Sequence, residues 1–129
     1  KINYYVTLKH NKVHVRYGPS IDYQIKYIYR KAGYPLKVID RKENFRKIID
    51  HKNNSGWIHW TQLENSTSLI TTSEKILFKK PTKFSEPLAK LSEGRLLIVI
   101  KCQDKWCNIK TEDYKGWILK DDNLWGKIN

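Results

Sequence analysis

The chain has 129 residues, of which 40% are hydrophobic and 12% aromatic, which is enough apolar surface for one ordinary domain or two small ones. No stretch approaches the roughly 18 consecutive apolar residues of a membrane-spanning helix. The formal net charge is +12, from 20 Lys and 5 Arg against 13 acidic residues. Such a charge favours anionic partners (nucleic acid, acidic lipid or cell-wall polymer) without choosing among them, and it is equally typical of a solvated, Lys-rich surface.

Short β-prone runs separated by turn residues follow one another through the first half of the chain. They predict strands at residues 12–16, 24–29, 35–41, 45–50 and 56–59. Because side chains alternate between the two faces of a strand, we expect Leu36 and Val38 to share the inner face, together with Ile58. Trp57 is then expected on the opposite side. This pattern is typical of a small all-β barrel or sandwich.

The second half of the chain repeats the first. The segment VRYGPS at residues 15–20 corresponds to LFKKPT at residues 77–82, and Gly-Trp-Ile occurs at both 56–58 and 116–118. Further strands are predicted at residues 96–101, 106–110 and 116–119, with inner-face positions at Leu97, Val99 and Ile118 and Trp117 on the opposite side. The predicted domains are residues 1–64 and 74–129, and the polar, Ser/Thr-rich residues 65–73 are predicted to be a linker.

Three motifs carry a resemblance to the bacterial SH3-like (SH3b) family. They are VRYGPS with its counterpart at residues 77–82, the paired Gly-Trp-Ile tripeptides, and KCQDKWC at residues 101–107. The resemblance implies two tandem SH3-like barrels, each five-stranded and half-open, as in small exported proteobacterial proteins with two such domains. It also implies a binding module without chemistry of its own, which in some members binds peptidoglycan, peptides or partner proteins. Phe78 and Lys80 replace the motif's Arg and Gly in the second copy, which argues against a ligand role for that loop.

Cys102 and Cys107 are the only cysteines in the chain. Their spacing across a predicted turn allows a disulfide between adjacent strands, and the alternative is a pair of reduced thiols. The resemblance implies the disulfide, because the family has a Cys-x4-Cys hairpin. Since disulfides persist in oxidising compartments, this bridge indicates a periplasmic or otherwise exported protein. The absence of Met and the start at Lys1 suit a chain whose signal peptide has been removed.

We predict no catalytic residue, metal site or cofactor. All 4 His lie in the first half, far in sequence from the cysteines and without the ligand spacing of a zinc site. His10 and His14 would come together only on a helix, whereas their segment is predicted to be a strand. No loop pattern assembles a base and an oxyanion site beside either thiol, so an enzyme is not expected.

The candidate ligand-binding residues are Arg16, Tyr17, Tyr23 and Trp60. The first three flank the Gly-Pro turn of the first copy, and loops usually carry recognition. Tyr and Trp offer a large contact area at low entropic cost, and Arg adds a planar set of donors, so the group suits peptides and sugars. Tyr27 and Tyr29 share a strand face, and we expect them to be structural.

Three hypotheses of function follow. The preferred one is a non-enzymatic binding or adaptor module of the cell envelope, with peptidoglycan, its peptides or an envelope protein as partner. The alternative is a nucleic-acid binder, because small basic barrels with aromatic residues also bind single strands. The third is a purely structural spacer or assembly unit with no small ligand.

Overall fold

The computed structural model describes residues 2–121 and 123–128. The chain folds into two compact units that divide between Ser66 and Thr67, called here the N-terminal and C-terminal units. Each contains a seven-stranded antiparallel sheet. This confirms the prediction of an all-β chain with two SH3-like domains, and adds short strands to the five expected in each.

The N-terminal unit begins with β1, which the sequence patterns did not predict, and its middle strands match the predictions to within one or two residues. The strands are β1 (Tyr4–Leu8), β2 (Val13–Arg16), β3 (Ile25–Tyr29), β4 (Pro35–Lys42), β5 (Phe45–Ile49), β6 (Ser55–His59) and β7 (Leu63–Glu64). A single 3-10 turn, Trp60–Gln62, joins β6 to β7. The order across the sheet is β3-β2-β6-β5-β4-β1-β7.

The C-terminal unit repeats this plan strand for strand. Its strands are β8 (Ser68–Thr71), β9 (Lys75–Phe78), β10 (Pro87–Leu91), β11 (Leu96–Gln103), β12 (Trp106–Lys110), β13 (Lys115–Leu119) and β14 (Leu124–Gly126), in the order β10-β9-β13-β12-β11-β8-β14. The register repeats as well. The β4–β5 pairing shifts between Val38 and Asp40, and the β11–β12 pairing shifts at the same place, between Val99 and Lys101.

The predicted linker at residues 65–73 differs from the structure. Ser68–Thr71 is strand β8, which pairs with β11 and β14 and belongs to the C-terminal unit. All four of its residues are buried, so it lacks the polar–apolar alternation by which a strand is recognised in a sequence. The Thr71 hydroxyl is satisfied inside the fold, where it donates to the Ser92 carbonyl and accepts from the Arg95 N–H.

The inner-face predictions are confirmed in both units. Leu36, Val38, Ile58 and their counterparts Leu97 and Ile118 are fully buried. Val99 is partly buried against the second core, and Trp57 and Trp117 are half-buried on the opposite side. Each unit therefore has its own apolar core, formed in the N-terminal unit by Val6, Leu8, Val13, Val15, Leu36, Val38, Ile48 and Ile58.

The glycine of each Gly-Trp-Ile tripeptide lies where two strands approach closely. A Cβ added at Gly56 would lie 2.3 Å from Val15 Cγ1, and one at Gly116 would lie 2.6 Å from the Phe78 carbonyl oxygen. A Cβ at Gly56 would require the Val15 side chain to move, and one at Gly116 would require the backbone of β9 to move. The glycines thus allow β6 and β13 to pack beside β2 and β9.

A buried polar network supports the N-terminal unit. The Tyr29 hydroxyl donates to Asp50 Oδ2 over 2.9 Å and lies 3.1 Å from the Tyr27 hydroxyl. Asp50, which is 3% exposed, also accepts the N–H groups of Lys52 and Asn54 at Oδ1. Burial raises the pKa of Tyr29 far above its ordinary range, and the hydrogen bond with Tyr27 and the charge of Asp50 raise it further. Tyr29 therefore remains a proton donor at any physiological pH, in the structural role expected for this face.

The C-terminal unit has different supports. Cys102 and Cys107 are opposite each other in the β11–β12 ladder and form a disulfide, with their Cα atoms 4.0 Å apart. The structure thus contains the bridge that the resemblance implied. Lys75, whose side chain is 6% exposed, forms an ion pair with Asp121 over 2.5 Å.

Candidate ligand-binding site

The N-terminal unit has a surface pocket of about 380 Å³ lined by basic and aromatic side chains. Its lining residues are Lys12, His14, Arg16, Ile21, Phe45, His59 and Gln62. We call it the basic pocket. None of these seven side chains is acidic, so the pocket presents a surplus of positive charge and hydrogen-bond donors around the apolar surface of Phe45 and Ile21.

Strand alternation and pairing bring these residues together. On β2, Val13 and Val15 point into the core, so His14 and Arg16 lie on the outer side. Phe45 on β5 and His59 on β6 are register partners, and their rings meet edge to face with centroids 5.2 Å apart. The pocket therefore has a floor of paired strands and an aromatic wall.

The loop between β2 and β3 closes one side of the basic pocket, and Arg16 holds that loop in place. Arg16 Nη1 donates to the carbonyl oxygens of Ile21 at 3.3 Å and Tyr23 at 2.9 Å. The Tyr23 ring covers Gly18, where an added Cβ would lie 2.4 Å from ring carbons. The Arg and Gly of the VRYGPS motif thus shape this loop.

The predicted ligand-binding residues are only partly brought together. Arg16 lines the basic pocket, and Tyr17 and Tyr23 lie on the adjoining loop. Tyr17 is 60% exposed, with Lys26 Nζ 5.6 Å from its ring centroid. Trp60 is outside the pocket, although its ring stacks against His59 at a centroid distance of 6.3 Å. A ligand role for the four residues stays a prediction.

Sequence reasoning missed six residues of the basic pocket: Lys12, His14, Ile21, Phe45, His59 and Gln62. The two histidines were considered only as metal ligands, and they lie on strands distant in sequence. The signal for His14 was present, because His14 and Arg16 share the outer face of a strand whose inner residues are Val13 and Val15. For Phe45 and His59 no such signal exists, because only the β5–β6 pairing places them beside β2.

A second pocket of the N-terminal unit, of about 300 Å³, lies beyond Trp60. Its lining residues are Tyr4, Val6, Arg46, Trp60, Leu63, Glu64 and Asn65. We call it the aromatic pocket. Tyr4 is 46% exposed and Trp60 is 51% exposed, so both rings are accessible to a ligand. Consecutive residues serve the two sites, since His59 lines the basic pocket and Trp60 the aromatic one.

The C-terminal unit has a pocket at the position of the basic pocket, but its lining is different. The strand pairings align the positions of the two units. His14 corresponds to Ile76, Arg16 to Phe78, Phe45 to Trp106 and His59 to Leu119. This pocket of about 330 Å³ is lined by Glu74, Lys75, Ile76, Phe78, Lys83, Trp106, Leu119 and Asp121. Apolar side chains and the Lys75–Asp121 ion pair thus stand where the N-terminal unit has cations and imidazoles.

Neither a metal cluster nor a spanning helix occurs in the part of the chain that the structure describes. Over residues 2–121 and 123–128, no group of three or more His, Cys, Asp or Glu side chains is placed to hold a metal ion. None of the helical segments within the same residues is long and apolar enough to cross a membrane.

Comparison with known families identifies the class of protein. Residues 9–65 and 72–126 each match the family described as the bacterial SH3 domain. These two regions make up most of the chain and fall one in each unit. The chain therefore belongs to the bacterial SH3 domain family, as the resemblance of its motifs indicated, and carries two tandem copies. None of the curated proteins compared with the chain matches it.

Three solved structures that match the chain belong to larger proteins. NlpC2 and NlpC1 from Trichomonas vaginalis are 17% and 16% identical to the chain, each with a TM-score of 0.44, and the match covers 97% of this chain but 48% and 46% of theirs. An NlpC/P60 family protein from Bacillus cereus is 12% identical with a TM-score of 0.41, over 95% of this chain and 56% of its own. The chain thus spans about half the length of these proteins, and their activities do not transfer to it at this level of similarity.

Proposed function

We propose that this protein is a non-enzymatic binding module of the bacterial cell envelope, which holds an anionic peptide segment of peptidoglycan or of an envelope protein in the basic pocket. The observation that carries the proposal is the lining of that pocket. Lys12, Arg16 and two histidines surround the apolar surface of Phe45 and Ile21, with no acidic side chain among the lining residues.

The chemistry of the basic pocket suits a short peptide with a free carboxylate. A carboxylate is matched by a guanidinium or an ammonium group, and such charge-assisted hydrogen bonds are stronger than neutral ones. An adjoining apolar side chain of the ligand would pack against Ile21, which is 73% exposed. The peptide stems of peptidoglycan combine carboxylates with small apolar side chains, and therefore offer both features.

The disulfide supports the proposed location. A Cys102–Cys107 bridge persists in an oxidising compartment such as the periplasm and is rare in the cytosol. The protein would then act where peptidoglycan is exposed to it. An exported location also argues against the nucleic-acid alternative.

Binding is assigned to the N-terminal unit because the corresponding pocket of the C-terminal unit lacks the necessary groups. Phe78 replaces Arg16 and Ile76 replaces His14, while Lys75 is engaged by Asp121. We propose that the C-terminal unit has a structural role and does not contain this binding site.

The experiment is co-sedimentation of the full chain with purified peptidoglycan sacculi, comparing the wild type with K12E/H14I. This double variant gives the basic pocket the Glu and Ile of the C-terminal unit and keeps the hydrogen bonds of Arg16. Both side chains are exposed, so the stability should change by less than about 0.5 kcal/mol. We expect about tenfold weaker retention, a free-energy change of about 1.4 kcal/mol.

The matched control is K52E, which reverses the same charge at an exposed position in the turn between β5 and β6, at the opposite end of β5 from Phe45. It should retain nearly wild-type binding at moderate salt, because surface charges beyond a Debye length of about 8 Å are screened. Equal losses for both variants would show that net charge, not the pocket, drives retention. Failure of the wild type to bind sacculi, with tight, steeply salt-dependent binding to single-stranded oligonucleotides, would favour the nucleic-acid alternative.

A further inference from the structure

We propose that the aromatic pocket is a saccharide subsite that binds a neutral N-acetylated sugar of the glycan strand. This inference rests on the proposed function, since it names a second part of the same ligand. The N-terminal unit would then bind both components of peptidoglycan: peptide carboxylates in the basic pocket and sugar rings in the aromatic pocket.

Two accessible rings carry the first step of this inference. Tyr4 on β1 and Trp60 at the start of the 3-10 turn line the same pocket, and each keeps about half of its surface exposed to solvent. Large aromatic rings left accessible around one concavity offer apolar faces to a ligand. The C–H face of a pyranose ring matches such a surface in size and polarity.

The polar groups of the aromatic pocket carry the second step. Arg46 Nη1 donates to the carbonyl oxygens of Glu43 at 2.9 Å and Phe45 at 3.1 Å, so the guanidinium is fixed before any ligand arrives. Glu64 and Asn65 line the same pocket. Together these planar side chains supply several donors and acceptors, which is what recognition of sugar hydroxyl and acetamido groups requires.

The charge of the aromatic pocket distinguishes its ligand from that of the basic pocket. Arg46 and Glu64 carry opposite formal charges, whereas the basic pocket combines Lys12 and Arg16 with no acidic residue. An anionic ligand would therefore prefer the basic pocket. The balanced charge and the aromatic rings of the second pocket favour a neutral, hydroxyl-rich ligand.

The arrangement suits one continuous ligand. The rings of His59 and Trp60 stack with planes 26° apart, and these two neighbouring residues serve the two pockets. A sugar held against Trp60 would place a peptide substituent within reach of the basic pocket. Neutral sugars alone would still be expected to bind, because their contacts do not depend on Lys12 or His14.

The C-terminal unit lacks the features on which the inference depends. Its counterpart of Arg46 is Cys107, which is held in the disulfide. Its counterpart of Trp60 is Lys120: the Trp60 N–H donates to the Asn44 carbonyl, and the Lys120 N–H donates to the equivalent Lys105 carbonyl. The saccharide subsite is thus specific to the N-terminal unit.

The test is titration of the full chain with a neutral tetramer of N-acetylglucosamine, followed by NMR. We expect binding with a Kd on the order of 1 mM or tighter, with the largest signal changes at residues of the aromatic pocket. W60A and Y4A should each weaken this binding at least about fivefold, and W60F should restore part of it because a smaller ring remains. Two independent variants guard against a folding defect in either one.

Two matched controls locate the site. Y114A removes a tyrosine that is 45% exposed in the C-terminal unit and should leave tetramer binding unchanged. K12E/H14I should also bind the tetramer normally while its retention by sacculi weakens about tenfold. Absence of tetramer binding at about 10 mM, or unchanged binding by W60A and Y4A, would overturn the saccharide subsite. Retention of sacculi in that case would leave the proposed function standing, whereas tetramer binding without retention of sacculi would leave only the subsite.

Discussion

The two units share one strand plan but are supported by different interactions. Their sheets have the same order, and their long hairpins shift register at the same place. Beside those hairpins the N-terminal unit has two partly buried tyrosines, one of which is bonded to Asp50, and the C-terminal unit has apolar residues and a cross-link. The backbone topology therefore requires only apolar inner-face positions and close-approach glycines, and several kinds of side chain can complete it.

A comparison of corresponding positions shows which side chains replace one another in the two units. The pair Arg41 and Arg46 occupies the ladder position of Cys102 and Cys107. Tyr29 lies opposite Val13, whereas its counterpart Leu91 lies opposite Lys75, which is paired with Asp121. The disulfide thus stands in the unit that lacks the tyrosine network.

The same comparison separates structure from binding. Most positions that face the cores are apolar in both units, the exception being Lys75 at the position of Val13. The positions that line the pockets, in contrast, have changed from basic to apolar or acidic. Such divergence leaves one unit with the groups to bind an anion and the other with a pocket of different chemistry. Duplication therefore did not duplicate the candidate site.

The largest expected effect is on the N-terminal unit, by D50A. Loss of the carboxylate leaves the Tyr29 hydroxyl and the N–H groups of Lys52 and Asn54 without their acceptor, which should cost about 4 kcal/mol. Denaturant unfolding followed by residue-resolved NMR would report each unit separately. Signals of the C-terminal unit should hardly shift.

Two further variants keep that prediction testable if D50A fails to fold. Y29F removes one hydroxyl from the network and should cost the N-terminal unit about 1–2 kcal/mol. T111A affects the C-terminal position equivalent to Asp50, where Thr111 Oγ1 accepts only the N–H groups of Asp113 and Tyr114 in an exposed turn, and should cost about 1 kcal/mol. A similar loss for D50A and T111A would show that the units do not differ in this support.

The next effect is on the C-terminal unit, by D121N, which leaves Lys75 buried without its counter-charge. Breaking a fully buried pair costs about 3–5 kcal/mol, and we expect about 2–3 kcal/mol here because the Asp121 side chain is 35% exposed. Unfolding of the purified variant at neutral pH would measure this difference. An unchanged stability would mean that the ion pair contributes nothing to the C-terminal unit.

Lowering the pH should also destabilise the C-terminal unit, because protonation of Asp121 removes the same counter-charge of Lys75. Burial alone raises the pKa of Asp121, but hydrogen bonds from Lys75 and from the Asn123 N–H, with the charge of Lys75, outweigh it and lower the pKa below 3.8. A depressed folded-state pKa contributes stability that is present in full above the unfolded-state value and is lost as the pH falls through the folded-state pKa. Wild type and D121N should therefore converge in stability at low pH, and a constant difference would contradict the assignment.

Among the three supports, namely the Asp50 network, the ion pair and the disulfide, the disulfide has the smallest expected effect. Reduction, or the C102A/C107A double variant, should lower the stability of the C-terminal unit by about 2 kcal/mol, because the bridge closes only a short loop in the unfolded chain. Thermal unfolding followed by residue-resolved NMR, with and without reductant, would measure it. Two labelled thiols in the natively isolated protein, or an equal loss in the N-terminal unit, would show that the bridge does not act as described.

Part of the site was accessible to sequence reasoning. The Gly-Pro turn motif indicated Arg16 and its loop, and the exposed aromatic character of the first copy indicated Trp60. The sequence did not indicate that His14, Phe45 and His59 line one pocket, because they lie on three different strands, β2, β5 and β6. Strand periodicity says which side chains point outward, but not which outward side chains meet.

The sequence by itself determined the duplication, the middle strands, the inner-face residues and the family, because each is recorded in local spacing: a period of two along strands and glycines at points of close approach. Only the tertiary structure decided that β8 is part of the second sheet. A short strand buried on both faces lacks the polar–apolar alternation by which strands are recognised in a sequence. It also decided that Trp60 belongs to a different pocket from Arg16. Pockets form where strands distant in sequence are brought side by side, and that pairing is a property of the whole sheet.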